Sequence, residues 1–146
     1  MSLMNIFDIA GSGMSAQTVR LNTTSSNIAN AESVSSNLDE TYRARQPVFS
    51  TQLHSAMRNN PYAIDNNVNA GSGVQVKGIV ESDSPLQMRY EPHHPMANED
   101  GYVAYPNVNV VEEMTNMISA SRSFQTNADV MKSAKEMMQQ VLNLGQ

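Results

Sequence analysis

Three stretches carry residue types that could do chemistry. Gly11-Ser12-Gly13 and Gly71-Ser72-Gly73 have the small residues that let backbone N–H groups cradle a phosphate. Neither runs on into Gly-Lys-Ser/Thr, and the first lies inside a helical pattern, so neither reads as a nucleotide loop. His93 and His94, with Glu91 and Asp100 nearby, are of the types that ligate metals. Adjacent side chains on an extended segment point to opposite faces, however, and the only other histidine, His54, is far off in sequence. No His-x-x-x-His or His-Glu-x-x-His pair is present, and Pro92-His93-His94-Pro95 reads as a proline turn. Serine is plentiful, with no Gly-x-Ser-x-Gly around any of them. The acids are too scattered to nominate an acid/base pair. The chain is therefore expected not to be an enzyme: no catalytic residue, no metal, no cofactor and no small-molecule substrate.

Composition narrows the class further. Over 146 residues the net charge is −5, and only 16% of residues are charged, against the usual ~25%. Seventeen Ser and sixteen Asn fill the gap. The nine Lys and Arg form no cluster that would release counterions from nucleic acid, so no nucleic-acid partner is expected. There is no cysteine, which excludes disulfides and thiol catalysis and suits an oxidising compartment. The start Met-Ser-Leu-Met-Asn-Ile-Phe-Asp lacks the basic region of a secretory leader. No apolar run approaches the ~20 residues that span a bilayer.

What the chain does have is a patterned element at each end. Leu3, Phe7, Ala10, Met14, Gln17, Leu21, Thr24 and Ile28 are spaced by alternating fours and threes. So are Val110, Met114, Met117, Ser121, Phe124, Ala128, Met131, Lys135, Met138 and Leu142. That alternation is the a/d seam of a coiled coil. It predicts a helix from Leu3 to about Ala31, ~42 Å long, and another from about Val108 to Leu144, ~55 Å long. The first carries only Asp8 and Arg20 as charges, few for a solvated helix. Gly11 and Gly13 mark a kink, a break or a close helix–helix approach. The second is capped by Asn107 or Asn109, opens with Glu112 and Glu113, and ends at Gly145. Five of the eleven Met lie between Met114 and Met138. Two readings stand for them: adaptable filler of an interface, or an ordinary core stripe. Lys135 is a flaw in the seam, with Ala134 the neighbour to take over as the 3.6 period drifts. Arg122, amid Ser119, Ser121 and Ser123, reads either as an interhelical bonding group or as a solvent-facing charge.

The middle is different. Asn30–Glu40 is a polar loop. Tyr42–Phe49 reads as a short extended or edge segment around Pro47. Residues 51–69 are ambiguous, with a short helix expected before Arg58 and a turn at Asn59-Asn60-Pro61. Val74, Val76 and Val80 begin a strand with a bulge near Gly78. Leu86, Met88 and Tyr90 alternate in a second strand, expected to pair with the first or lie beside it. Gly101–Tyr105 is a third. The expected class is α+β: long N- and C-terminal helices forming a coiled-coil layer, with a small β-rich middle segment. The expected divisions are residues 1–31 (N-terminal helix), 32–70 (loop and connector with an insertion), 71–106 (β-rich segment) and 107–146 (C-terminal helix).

Several separated motifs then occur in order. They are Phe7-Asp8-Ile9-Ala10-Gly11-Ser12-Gly13-Met14-Ser15-Ala16-Gln17, Arg20-Leu21-Asn22 and Ser25-Ser26-Asn27-Ile28-Ala29-Asn30-Ala31. Further on come Tyr90-Glu91-Pro92, His94-Pro95-Met96-Ala97-Asn98, Gly101-Tyr102-Val103, Pro106 to Met114 and Ser119 to Asn127. Together they resemble the bacterial flagellar basal-body rod proteins, in particular those of the proximal rod. Residues 51–69 fit less well and read as a loop insertion. The resemblance implies a structural rod subunit that transmits torque as part of the driveshaft. It implies export by the flagellar type III apparatus without a cleaved signal and assembly in the periplasm. The implied partners are copies of itself, other rod proteins, the adaptor joining the rod to the inner-membrane ring, and the export apparatus. The assembly interface expected from the seam comprises Leu3, Phe7, Ala10, Met14, Leu21, Ile28, Val110, Met114, Met117, Phe124, Ala128, Met131, Met138 and Leu142. The alternative is a coiled-coil adaptor or binding module that never polymerises.

Overall fold

The computed structural model describes residues 3–52 and 73–144, with side chains from Asn5 onward. The helix and turn expected between Leu53 and Ser72, and the cap at Gly145, lie outside the described residues. The order is α1 (Leu3–Ala29), β1 (Arg45–Thr51), β2 (Val74–Glu81), β3 (Gln87–Tyr90), β4 (Tyr102–Tyr105) and α2 (Val110–Leu144). This is the expected α+β architecture, with a long helix at each end and short antiparallel strands between. The 27 residues of α1 span ~40 Å and the 35 of α2 span ~52 Å. At the start of α2 the Asn109 Oδ1 accepts the N–H groups of Val111 (3.1 Å) and Glu112 (3.4 Å). That is an N-cap, with Glu112 and Glu113 following in the first turn, where acids complement the helix dipole.

Two compact units divide the chain. One takes Met1–Val19, Val48–Gly78 and Ala120–Gln146, the other Arg20–Pro47 and Ile79–Ser119. In the first unit α1 runs straight through its glycines against the later part of α2, in the opposite direction. A Cβ on Gly11 would lie 3.8 Å from Met131 Cε, and one on Gly13 would lie 3.1 Å from the Asn127 amide. Asn127 cannot easily yield, because its Nδ2 donates to Ser123 O at 2.9 Å. Of the three readings of these glycines the structure selects the close approach. Ala10, Ala16 and Ala134 are buried alongside. Ser12 ties the β-region to this helix: its Oγ donates to Ile9 O (2.8 Å) and accepts the Val74 N–H (3.1 Å).

Gly73 enters that contact at φ +130°, and a Cβ there would collide with Ser12 Oγ. Both facts require glycine. Gly73→Ala is expected to cost about 2–3 kcal/mol in urea unfolding, from backbone strain and the collision together. A loss below about 0.5 kcal/mol, the ordinary noise of surface changes, would contradict the docking.

In the second unit two asparagines hold the chain. Asn27 is wholly buried. Its Nδ2 donates to Arg45 O (2.8 Å), and its Oδ1 accepts the Arg45 N–H (3.0 Å) and the Tyr42 hydroxyl (2.8 Å). Asn107 does the same from the other side. Its Oδ1 accepts the Ala44 N–H at 2.7 Å, and its Nδ2 donates to Ser82 O (3.3 Å) and Ser84 O (2.9 Å). The apolar part of this unit is small: Ala44, Val103, Ala104, Pro106 and Val108 are buried beside Thr23, Thr24 and Thr41. Asn98 closes the turn before β4, its Oδ1 accepting the Asp100 N–H (3.1 Å) and the Tyr102 N–H (2.8 Å).

The strands form two ribbons, β1 with β2 and β3 with β4. The latter is antiparallel in the register Gln87–Tyr105, Met88–Ala104, Arg89–Val103 and Tyr90–Tyr102. The expected pairing of β2 with β3 is thus corrected. The Asn107 amide holds the carbonyls of Ser82 and Ser84 just after β2, and β1 supplies its partner. The Gln52 N–H donates to Gly73 O and the Ser82 N–H to Ala44 O, which makes the β1–β2 ribbon antiparallel. Between those bonds the β2 side spans one residue more than the β1 side. Arg45 meets Glu81 at 2.8 Å with both side chains about half exposed, a pair worth under ~1 kcal/mol.

Candidate assembly interface

The buried line along α2 keeps a heptad spacing of its own, one residue off the expected seam at alternate positions. Its most buried residues are Glu113, Ala120 and Ala134, with Met117, Met131 and Met138 half-buried between and beyond. Glu113 takes the inward position beside Met114, and Ala134 takes it from Lys135, which is exposed. On α1 the buried positions are Ala10, Ala16, Thr23, Thr24 and Asn27.

The residues nominated from the seam separate into two sets. Ala10 is buried, and Phe7, Met14, Leu21, Ile28, Met117, Ala128, Met131 and Met138 are half-buried. Val110, Met114, Phe124 and Leu142 are exposed. The Leu3 side chain lies outside the described residues. Of the other seam positions, Thr24 donates to Arg20 O and Leu21 O, and Gln17 Oε1 is buried without a hydrogen-bond partner among the described residues. Glu113 Oε2 is in the same state. Arg20 Nη2 reaches Asn116 Oδ1 on α2 at 3.0 Å. Arg122 is exposed.

The exposed set is larger than the seam. Val111, Met114 and Ile118 lie three and four apart, on one face of α2, and are 73%, 53% and 55% exposed. Val130, Met137, Val141 and Leu144 lie seven, four and three apart and make a second such row. Val111, Ile118, Val130, Met137, Val141 and Leu144 were not nominated, because a search for one a/d seam passes over a second apolar row on the same helix. The row was visible in the spacing: a helix with apolar residues on more than one face has more than one thing to cover. Each of these side chains contributes about 1.5–3 kcal/mol when fully buried.

Of the motifs with chemical potential, Ser12, Gly73 and His94 take structural roles. His94 Nδ1 accepts the Met96 N–H at 3.1 Å inside the turn after β3. Among the described residues no three His, Cys, Asp or Glu side chains gather to hold a metal. None of the described helices is long and apolar enough to cross a membrane. On the β3–β4 ribbon, Arg89 lies over the Tyr105 ring at 4.3 Å, and Tyr90 and Tyr102 meet edge to face at 5.3 Å.

Comparison with known proteins bears on what this surface meets. Residues 7–35 match the family model described as flagella basal body rod protein. Residues 99–144 match the one described as flagellar basal body rod FlgEFG protein C-terminal. Over 146 residues, covering all of both chains, the protein is 48% identical to the flagellar basal-body rod protein FlgC of Escherichia coli O157:H7. It is 45% identical to that of Salmonella typhimurium, again over the whole of both chains. It is 36% identical to that of Borreliella burgdorferi, over 97% of each.

Proposed function

The chain belongs to the FlgC family of flagellar basal-body rod proteins, and from that premise we propose that it builds the rod through the exposed apolar rows of α2. Its work is structural and involves no turnover of substrate. The observation that carries the reading is the row of large apolar side chains left uncovered on α2 beside a small core. In a rod, neighbouring subunits cover those rows. Burial of several such residues per subunit, at about 1.5–3 kcal/mol each, gives a contact firm enough to carry torque along the driveshaft. The α1–α2 contact inside each chain sets the inner coiled-coil layer, and the β-rich segment lies outside it. The partners in this reading are further copies of the chain, the other rod proteins and the adaptor to the inner-membrane ring. Export through the flagellar type III apparatus without a cleaved leader, and a periplasmic location, belong to the same reading and rest on the family resemblance.

The test is genetic and biochemical. Cells deleted for the gene are expected to lose motility and rods, and to regain both when the chain is supplied. The chain should then sediment with purified basal bodies. Rods of normal length in the deleted cells, or a chain that stays wholly in the soluble fraction, would overturn the assignment.

A further inference from the structure

We propose that Met114 and Met137 are the methionines of α2 at which peroxide modifies this protein, and that their oxidation to sulfoxide prevents assembly. The proposal rests on the reading of α2 as the assembly surface. The chain has eleven methionines and no cysteine, so all of its sulfur chemistry is thioether chemistry. The methionines on α2 sort by exposure. Met114 is 53% exposed and Met137 is 49% exposed, whereas Met117, Met131 and Met138 are half-buried. Met131 is packed toward Gly11 of α1. Met137 and Met138 are neighbours in sequence and differ in access, which gives an internal standard. Away from the helices, Met96 accepts a hydrogen bond from Ser36 Oγ at 3.5 Å, which engages its sulfur. Met88 is exposed on β3, off the α2 rows.

In the reaction a sulfur lone pair attacks one oxygen of hydrogen peroxide and the O–O bond breaks. The departing oxygen takes up the proton and leaves as water. The sulfur loses two electrons to become a sulfoxide and the peroxide is reduced. The product carries a strong acceptor oxygen where the apolar row offers no donor. Burying it under a neighbour strips its water without replacing the hydrogen bonds. The lesion is chemically reversible by sulfoxide reductases, so it acts as a block that can be lifted.

The test has two parts. The purified full-length chain is treated with graded hydrogen peroxide and each methionine is followed by peptide mass spectrometry. Met114 and Met137 are expected to oxidise several-fold faster than Met117 and Met138. In cells, the paired variant Met114→Gln/Met137→Gln, polar as a sulfoxide is, is compared with Met114→Leu/Met137→Leu. The Gln pair is expected in basal bodies at about one-tenth the level of the Leu pair or less, since ~1.4 kcal/mol of lost contact is tenfold. Both are expected to melt alike as free chains. Equal oxidation rates at the four sulfurs, or equal incorporation of the two variants, would overturn the inference while leaving the rod assignment standing. Absence of the untreated parent chain from basal bodies would overturn the assignment, and the inference with it.

Discussion

Chains carrying Met114→Asp or Ile118→Asp are expected to fold as the parent does and to fail to enter the rod. Both side chains are more than half exposed, so in the free chain a carboxylate there stays in water. Surface changes of that kind move stability by ~0.5 kcal/mol or less. Under a neighbouring apolar surface the same carboxylate must lose its water, which costs several kcal/mol unless a cation meets it. Even 3 kcal/mol lowers occupancy of the interface more than 100-fold. The comparison is made by thermal melting of the purified variants beside mass-spectrometric counting of each in sedimented basal bodies. Parent-like incorporation of both would remove the row from the interface. A different result is expected at Met14, half-buried within the chain. Met14→Asp should lower melting as well as assembly, because its charge is forced against the chain's own helices.

The second large effect lies in the fold itself. Asn27→Ala removes one donor and one acceptor group that together make three hydrogen bonds of 2.8–3.0 Å at a wholly buried position. It leaves the Arg45 N–H, the Arg45 carbonyl and the Tyr42 hydroxyl to find other partners. An orphaned buried group costs ~1–3 kcal/mol, so about 3–5 kcal/mol is expected in urea unfolding. That is a large share of the 5–15 kcal/mol by which domains are stable. Asn107→Ala, at a half-buried position with one longer bond of 3.3 Å, should cost less, about 2 kcal/mol. A loss under 1 kcal/mol for Asn27→Ala would mean that the clamp is not what holds β1 to α1.

The two helices were legible in the sequence because their signals are local. The three–four alternation, the scarcity of charge in α1 and the Asn109 cap each act within a few turns. The ends came out close, Leu3–Ala29 and Val110–Leu144 against 3–31 and 108–144. Strand positions were legible for the same reason; strand partners were not. β2 pairs with β1 and not with β3, and an asparagine distant in sequence, Asn107, fixes the carbonyls after β2. Nothing in the local pattern announces that. Asn27 and Asn107 looked like two of many polar residues, and only the fold shows that their amides stand in for strand partners. The seam was read one residue off at alternate positions of α2, so Glu113 and Ala120 proved to be inward positions and Met114 an outward one. The family resemblance carried what periodicity could not: which kind of assembly such a helix enters.

The central claim is that the apolar rows of α2 are open in the free chain and covered in the rod. Hydroxyl-radical footprinting of the free chain and of the chain within purified basal bodies tests it directly. The account predicts that labelling at Val111, Met114, Ile118, Val130, Met137 and Val141 falls sharply on assembly, while Met14 and Met131, already packed within the chain, change little. Equal labelling of the α2 rows in the two states would contradict it.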